Sequence, residues 1–192
     1  MKKFVVFLLL FFFCSVKAWS MPAKSIVSDF FANTQNITLH FEQTKSIPDI
    51  EKPFQSSGVF QFVKNKGFIV KQEKPHTQKF VSTTERYCFD DKNEELKKLP
   101  YFSDIKIIID DLLSGDMDKL EQIFDIAYLE NTNSWQIILT PTQNKMKEFI
   151  SKIKLTGNET QITNLVIEYT DDTKINVDFS IIEQDLTNEI HC

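Results

Sequence analysis

Apolar and polar residues alternate with a period of two along most of the chain after Asn36. From residue 37 to residue 42, for example, every second side chain is apolar. This pattern is typical of a β-strand with one buried face. Similar segments, separated by turn residues, recur at 58–63, 67–71, 79–83, 86–90, 124–130, 134–140, 150–156, 161–170 and 173–181. They predict consecutive antiparallel strands, with a tight hairpin turn at 171–172.

The segment before the first strand has a different period. Ile26, Val27, Phe30 and Phe31 recur at helical spacing, and they predict an amphipathic helix over residues 22–34. An antiparallel sheet with one apolar face needs such an element, because the helix can cover apolar surface that would otherwise face water.

The middle of the chain also carries helix signals. Ser103 can cap a helix that runs to Leu113, Gly115 stands where a helix end favours a left-handed residue, and Asp116 can cap a second short helix. The β-branched run at 105–109 leaves a strand open as an alternative there. The predicted fold class is therefore mainly β (α+β): a strongly curved antiparallel sheet with an N-terminal helix and a helical insert.

The first 18 residues predict the compartment. Lys2 and Lys3 precede an apolar run over 4–14, and Ala18 ends a short cleavage-site pattern. This is the pattern of a signal peptide, and the run is shorter than the roughly 20 residues that a membrane-spanning helix needs. We expect a cleaved signal peptide at 1–18 and a single secreted domain at 19–192. Acylation of Cys14 is the alternative, although three phenylalanines precede it where a lipidation signal has small residues.

Charge and cysteine content exclude several classes of protein. Removal of residues 1–18 removes three lysines and changes the net charge from −5 to −8. A nucleic-acid or anionic-membrane partner would require basic patches instead. The two cysteines left, Cys88 and Cys192, are too few for a disulfide-built scaffold, but an oxidising compartment would allow them to pair with each other.

Chemistry-bearing motifs are scarce. His40, His76 and His191 are not at metal-ligand spacing, and four glycines offer no phosphate-binding loop. The acidic pairs at 90–91 and 110–111 are adjacent residues whose side chains point apart on a strand or helix, which is unsuited to acid–base catalysis. We therefore predict a protein that is not an enzyme and that has no metal and no cofactor.

Five short motifs follow one another along the chain. They are Phe41-Glu42-Gln43-Thr44, Gly58-Val59-Phe60-Gln61-Phe62, Gly67-Phe68-Ile69-Val70 followed by Pro75, Leu112-Leu113-Ser114-Gly115-Asp116, and Trp135 with Leu139-Thr140-Pro141. Each is weak alone, but in this order behind a signal peptide they resemble the LolA family of periplasmic lipoprotein carriers over nearly the whole mature chain.

The resemblance implies a fold and a function. The fold would be an unclosed β half-barrel whose mouth is covered by a helical lid. Its cavity would hold the acyl chains of a lipoprotein in the periplasm, on the way from an inner-membrane donor complex to an outer-membrane acceptor. We expect such a carrier to be a monomer that performs no chemical step.

The cavity residues are assigned by alternation, with the apolar face of each strand turned inward. The predicted inward-facing residues are Leu39, Phe41, Phe60, Phe62, Phe68, Tyr87, Phe89, Trp135, Ile137, Leu139, Leu165, Ile167, Val177 and Phe179. The insert would supply the lid residues Ile107, Ile108, Leu112 and Leu113. Ile69 is assigned to the position of a family arginine that ties the lid shut, so lid closure is expected to rest on apolar contact.

Three other functions fit the same residues. One is a carrier of another acylated lipid or a glycolipid. Another is a sensor of mislocalised lipoproteins, acting through protein contacts. The third is a lipid-modified outer-membrane receptor, for which acylation of Cys14 would be required.

Overall fold

The computed structural model describes residues 23–83, 87–89, 109–131, 133–182 and 190. Ten strands form one antiparallel sheet in the order β5-β4-β3-β2-β1-β10-β9-β8-β7-β6. The strands are β1 (Asn36–Ser46), β2 (Phe54–Val63), β3 (Gly67–Lys74), β4 (Gln78–Thr83), β5 (Tyr87–Phe89), β6 (Phe124–Asn131), β7 (Ser134–Pro141), β8 (Ile150–Gly157), β9 (Ile162–Tyr169) and β10 (Lys174–Ile181). The prediction of a mainly β, unclosed antiparallel sheet is confirmed.

The first and last strands meet in the middle of this sheet. β1 pairs with β2 on one side and with β10 on the other, and Leu39 lies between Phe60 and Ile181. Each half of the chain therefore forms its own run of neighbouring strands. The two runs are joined by the β1–β10 ladder, and β5 and β6 stand at opposite ends of the sheet.

Within the described ranges, four helical segments accompany the sheet. They are α1 (Ala23–Asn33), α2 (109–114), α3 (Met117–Leu120) and α4 (Asn144–Lys147). α1 confirms the helix predicted over 22–34, whereas the single turn α4 was not predicted. Gly115 adopts φ 79° after α2, and the Asp116 side chain accepts a hydrogen bond from the Lys119 backbone N–H at the start of α3. Both capping predictions are therefore confirmed, while Ser103 lies outside the described residues.

One face of the sheet carries the main core, and we call it the cavity face. Val27 and Phe31 of α1 pack there against Leu39, Trp135 and Ile137. All five side chains are almost completely buried. Burial of a large apolar side chain contributes about 1.5–3 kcal/mol, so the burial of Val27 and Phe31 holds α1 on the sheet.

The opposite face, called here the outer face, carries a smaller cluster. Val63, Val81, Cys88 and Ile190 are buried together there, and Ile69 packs against them. Ile69 was expected at the lid, and that assignment is wrong. Its strand neighbours on either side belong to the main core, so alternation turns Ile69 away from the cavity.

Two further predictions concern the chain's bonds and turns. Cys88 is disulfide-bonded, and Cys192, its expected partner, lies outside the described residues. The predicted turn after β9 is present: Asp172 adopts φ 61°, and Asp171 Oδ1 accepts a hydrogen bond of 3.0 Å from the Thr173 backbone N–H.

Among the described helices, none combines the length and apolarity needed to cross a membrane.

Candidate functional site

A cavity of about 340 Å³ lies between the cavity face and α2. Of the twenty described residues that line it, seventeen are apolar, and the other three are Gln43, Ser56 and Gln72. The apolar lining residues are Leu39, Phe41, Phe60, Val70, Ile109, Leu112, Leu113, Leu139, Ile150, Ile153, Leu155, Ile162, Leu165, Ile167, Ile175, Val177 and Phe179. No titratable side chain is among them, so the wall is suited to an apolar, uncharged ligand.

The wall is continuous because inward-facing residues of neighbouring strands are in register. Phe41 of β1 lies opposite Phe179 of β10 and opposite Gly58 of β2. A Cβ atom at Gly58 would lie 2.0 Å from the Lys71 carbonyl oxygen of β3, where the β2–β3 register shifts. The glycine therefore permits β3 to approach closely and keeps this part of the wall intact.

α2 forms the roof of the cavity. Ile109, Leu112 and Leu113 face the ligand space, and Leu113 is only 3% exposed. The turn that ends α2 lies against α1: a Cβ at Gly115 would be 3.0 Å from the Ala32 backbone nitrogen. The C-terminal end of the roof therefore rests against α1.

Polar contacts join α1 to α3 at the surface. Lys24 Nζ lies 3.0 Å from Asp118 Oδ1 and 2.7 Å from Glu121 Oε2. The Tyr128 hydroxyl donates a hydrogen bond of 3.1 Å to Glu121 Oε1. Partial burial, together with this bond to a carboxylate, raises the pKa of Tyr128 to about 12. Tyr128 therefore remains a neutral donor at physiological pH and holds the Glu121 carboxylate beside Lys24.

α1 covers the end of the cavity face that contains Trp135. The ring centroids of Phe30 and Phe31 lie 5.3 Å and 5.9 Å from that of Trp135. The Trp135 Nε1–H group donates a hydrogen bond of 2.9 Å to the Asn158 carbonyl oxygen, which satisfies its buried donor. This end is solid core, and the cavity occupies the remaining part of the face.

Eight of the fourteen predicted inward residues line the cavity. They are Leu39, Phe41, Phe60, Leu139, Leu165, Ile167, Val177 and Phe179. Four more, Phe62, Phe68, Trp135 and Ile137, lie in the main core without lining the cavity. Phe89 is opposite Phe80 in the β4–β5 ladder and is not on the cavity wall. The Tyr87 side chain lies outside the described part of the chain.

The predicted lid residues divide in three ways. Leu112 and Leu113 line the cavity from α2. Ile107 and Ile108 lie outside the described residues, and Ile69 is on the outer face.

Several wall residues were missed by sequence reasoning. Ile153 and Leu155 are apolar alternates within a predicted strand and could have been found by the same rule. Gln43, Ser56 and Gln72 could not have been found, because the inward face was chosen by apolar content. Within the described ranges, no cluster of three or more His, Cys, Asp or Glu side chains could hold a metal ion.

Comparison with known proteins gives a family match and weak structural likenesses. The family model described as outer membrane lipoprotein carrier protein LolA matches residues 32–190. No curated protein sequence matches the chain. The crystal structure of a LolA superfamily protein from Nitrosomonas europaea is similar at 11% identity and TM-score 0.47, over 88% of this chain and 96% of that one.

Two structures that contain MucB are similar at the same level. A chain of the Pseudomonas aeruginosa MucA/MucB complex has 10% identity and TM-score 0.44, over 82% of this chain and 55% of that one. MucB in complex with MucA(peri) has 8% identity and TM-score 0.46, over 88% and 57%. This chain thus spans little more than half the length of those two.

Proposed function

The chain belongs to the LolA family of outer membrane lipoprotein carrier proteins, and we propose that it is a periplasmic carrier of lipoproteins. The acyl chains of the cargo would occupy the cavity beneath α2 during transfer from the inner to the outer membrane. Proteins of this family are carriers or binding modules rather than enzymes. An inner-membrane donor complex and an outer-membrane acceptor are the partners that this role requires.

The observation that carries the proposal is the chemistry of the cavity wall. In the described part of the chain, seventeen apolar residues and no titratable group line a space of about 340 Å³, a volume within the ordinary range of small-ligand sites. Each buried CH₂ group contributes about 0.8 kcal/mol. Ten buried methylene groups would therefore contribute about 8 kcal/mol before the cost of association is subtracted, without any polar recognition.

Release of the cargo follows from the position of the roof. Leu112 and Leu113 contact the cavity from α2, so displacement of α2 would uncover the acyl chains without unfolding the sheet. If α2 is displaced at a membrane, the apolar cavity wall is exposed there to an apolar partner and not to water. Transfer then needs no chemical step.

Binding of a fluorescent fatty-acyl probe tests the cavity directly. We expect the wild-type protein to bind the probe and Leu113→Asp to bind it at least about tenfold more weakly, because that variant places a carboxylate at an apolar wall. Leu129→Asp is the matched control, since Leu129 is 47% exposed on β6 and away from the cavity. An absence of probe binding by the wild type would disprove the carrier proposal.

The cargo needs a separate experiment. Native mass spectrometry of the protein purified from its own periplasm identifies the bound molecule, and we expect a lipoprotein acyl anchor. If a glycolipid or another acylated lipid co-purifies instead, the cavity assignment would stand and the cargo would be that lipid.

A further inference from the structure

Three polar residues of the described cavity lining lie together at one end. Gln43 of β1 is opposite Ser56 of β2, and Gln72 of β3 is opposite Gly58, two residues along β2 from Ser56. All three face the ligand space. We call this group the polar end of the cavity.

The polar end is also the less buried end. Along the inward face of β1, Leu39 is 2% exposed, Phe41 is 6% exposed and Gln43 is half-buried. At the other end of the same face, Trp135 is covered by α1. We therefore expect a long amphiphilic ligand to place its apolar chain beneath α2 and its polar group at the polar end.

At the polar end, the hydroxyl group of Ser56 lacks a hydrogen-bond partner among the described residues. Its Oγ atom is buried. Buried hydroxyl groups in folded proteins are nearly always hydrogen-bonded, because burial removes their bonds to water. Gln72 Nε2 donates a hydrogen bond of 3.1 Å to the His76 carbonyl oxygen, which uses one of its two N–H groups. Ser56 and the two amides can thus donate to an acceptor that is supplied by the ligand.

The charge of that acceptor is limited by the rest of the wall. Among the described lining residues none is titratable, so a carboxylate buried beside Ser56 Oγ would lose its water without gaining a counter-ion from this wall. A neutral carbonyl oxygen avoids this penalty and accepts hydrogen bonds from hydroxyl and amide groups. Lys45 lies two residues beyond Gln43 on β1 but is not part of the wall.

We propose that Gln43, Ser56 and Gln72 bind the ester carbonyl that joins an acyl chain to its headgroup. The cavity then takes neutral acyl esters in preference to free fatty acids. It also holds the chain in one direction, with the headgroup at the polar end. This inference rests on the proposed function, because it assumes that an acyl chain occupies the apolar part of the cavity.

Three probes of equal chain length separate the contributions of chain, carbonyl and charge. They are 1-dodecanoylglycerol, the ether 1-O-dodecylglycerol, which lacks the carbonyl group, and dodecanoate at pH 8. Affinities are measured by displacement of an environment-sensitive dye. We expect the wild-type protein to bind the ester about tenfold more tightly than the ether, and to bind dodecanoate most weakly.

Substitutions then assign the preference to the polar end. Ser56→Ala should reduce ester affinity to nearly that of the ether and leave ether affinity unchanged, and Gln43→Leu should act in the same direction. Ser57→Ala is the matched control, because Ser57 is the next residue of β2 and faces outward. Ser56→Ala should not lower the melting temperature of the ligand-free protein, since it removes a buried hydroxyl that has no partner there.

The outcomes distinguish this inference from the proposed function. Binding of neither the ester nor the ether would disprove the carrier role itself. Equal affinity for ester and ether, or an ester preference that persists in Ser56→Ala and Gln43→Leu, would overturn the carbonyl site alone. Tightest binding of dodecanoate would show that the cavity selects free acids instead.

Discussion

Gly157 lies directly against the indole ring of Trp135, its partner in the β7–β8 ladder. A Cβ atom built on Gly157 would be 2.2 Å from Trp135 Cζ2. Because that position has no side chain, the indole can lie over β8, where it contacts Phe30 in a tilted arrangement and Phe31 in a T-shaped one. One glycine thus determines how closely the first helix packs on the sheet.

Gly157→Ala should destabilise the protein by about 1–3 kcal/mol, because the added methyl group forces the indole to move. Urea denaturation followed by far-UV circular dichroism measures this change. Glu159→Ala, on the exposed turn after β8, is the matched control and should leave the free energy of unfolding nearly unchanged. A Gly157→Ala protein as stable as the wild type would contradict the packing described for Trp135.

The disulfide at Cys88 should join it to Cys192. The sequence has one other cysteine, Cys14, and Ile190, two residues before Cys192, packs in the cluster that contains Cys88. Cys192→Ser should lower the free energy of unfolding by about 2–4 kcal/mol, as expected for a disulfide that closes a long loop. Alkylation followed by intact-mass measurement should find a free thiol in this variant. Alkylation of Cys192 in the native, unreduced wild-type protein would rule out the pairing.

Ile69 and Val70 are neighbours on β3 that face opposite sides of the sheet. Ile69 packs in the outer cluster, and Val70 lines the cavity. Ile69→Ala should lower stability by about 1–2 kcal/mol, because Ile69 is only half-buried, and should leave acyl-probe affinity unchanged. Val70→Ala should change probe affinity. Weaker probe binding in Ile69→Ala without an effect of Val70→Ala would reverse the faces assigned to β3.

Glu168 should make stability depend on pH. Lys154 Nζ lies 3.0 Å from Glu168 Oε1, and this hydrogen bond, with the charges of nearby lysines, lowers the pKa of Glu168 below its ordinary value of 4.5. The unfolded chain therefore takes up the proton first as the pH falls. The stabilisation is fully present well above pH 4.5 and is lost below it.

Glu168→Gln removes this contribution, so its stability deficit relative to the wild type should shrink as the pH falls below 4.5. Urea midpoints measured between pH 3 and pH 7 test the trend. Glu130→Gln, at an exposed position on β6, serves as the control. A deficit that grows towards low pH would contradict the assignment.

Much of the sheet could be predicted because its strands alternate cleanly. In β7, buried Trp135, Ile137 and Leu139 alternate with more exposed residues, as the sequence pattern requires. The same rule identified eight wall residues. It could not separate wall from solid core, because that division depends on where α1 lies: Trp135 faces inward but is covered by Phe30 and Phe31.

The errors have equally local causes. Ile69 was assigned by its place in a motif, although its neighbours Phe68 and Val70 already occupied the inward positions of β3. Gln43 and Ser56 were overlooked because an apolar face was assumed to remain apolar along its whole length. Alternation predicts which face of the sheet a side chain is on, but it does not predict whether the side chain lines a cavity or packs in the core.

The central position of the β1–β10 ladder has a consequence for the size of the cargo. In a closed barrel, the number and stagger of the strands fix the circumference and therefore the bore. Here β5 and β6 are the two edges of the sheet, and among the described residues they are not paired with each other. Closure therefore does not fix the circumference of the described sheet. We therefore expect the cavity to accept ligands of different thickness.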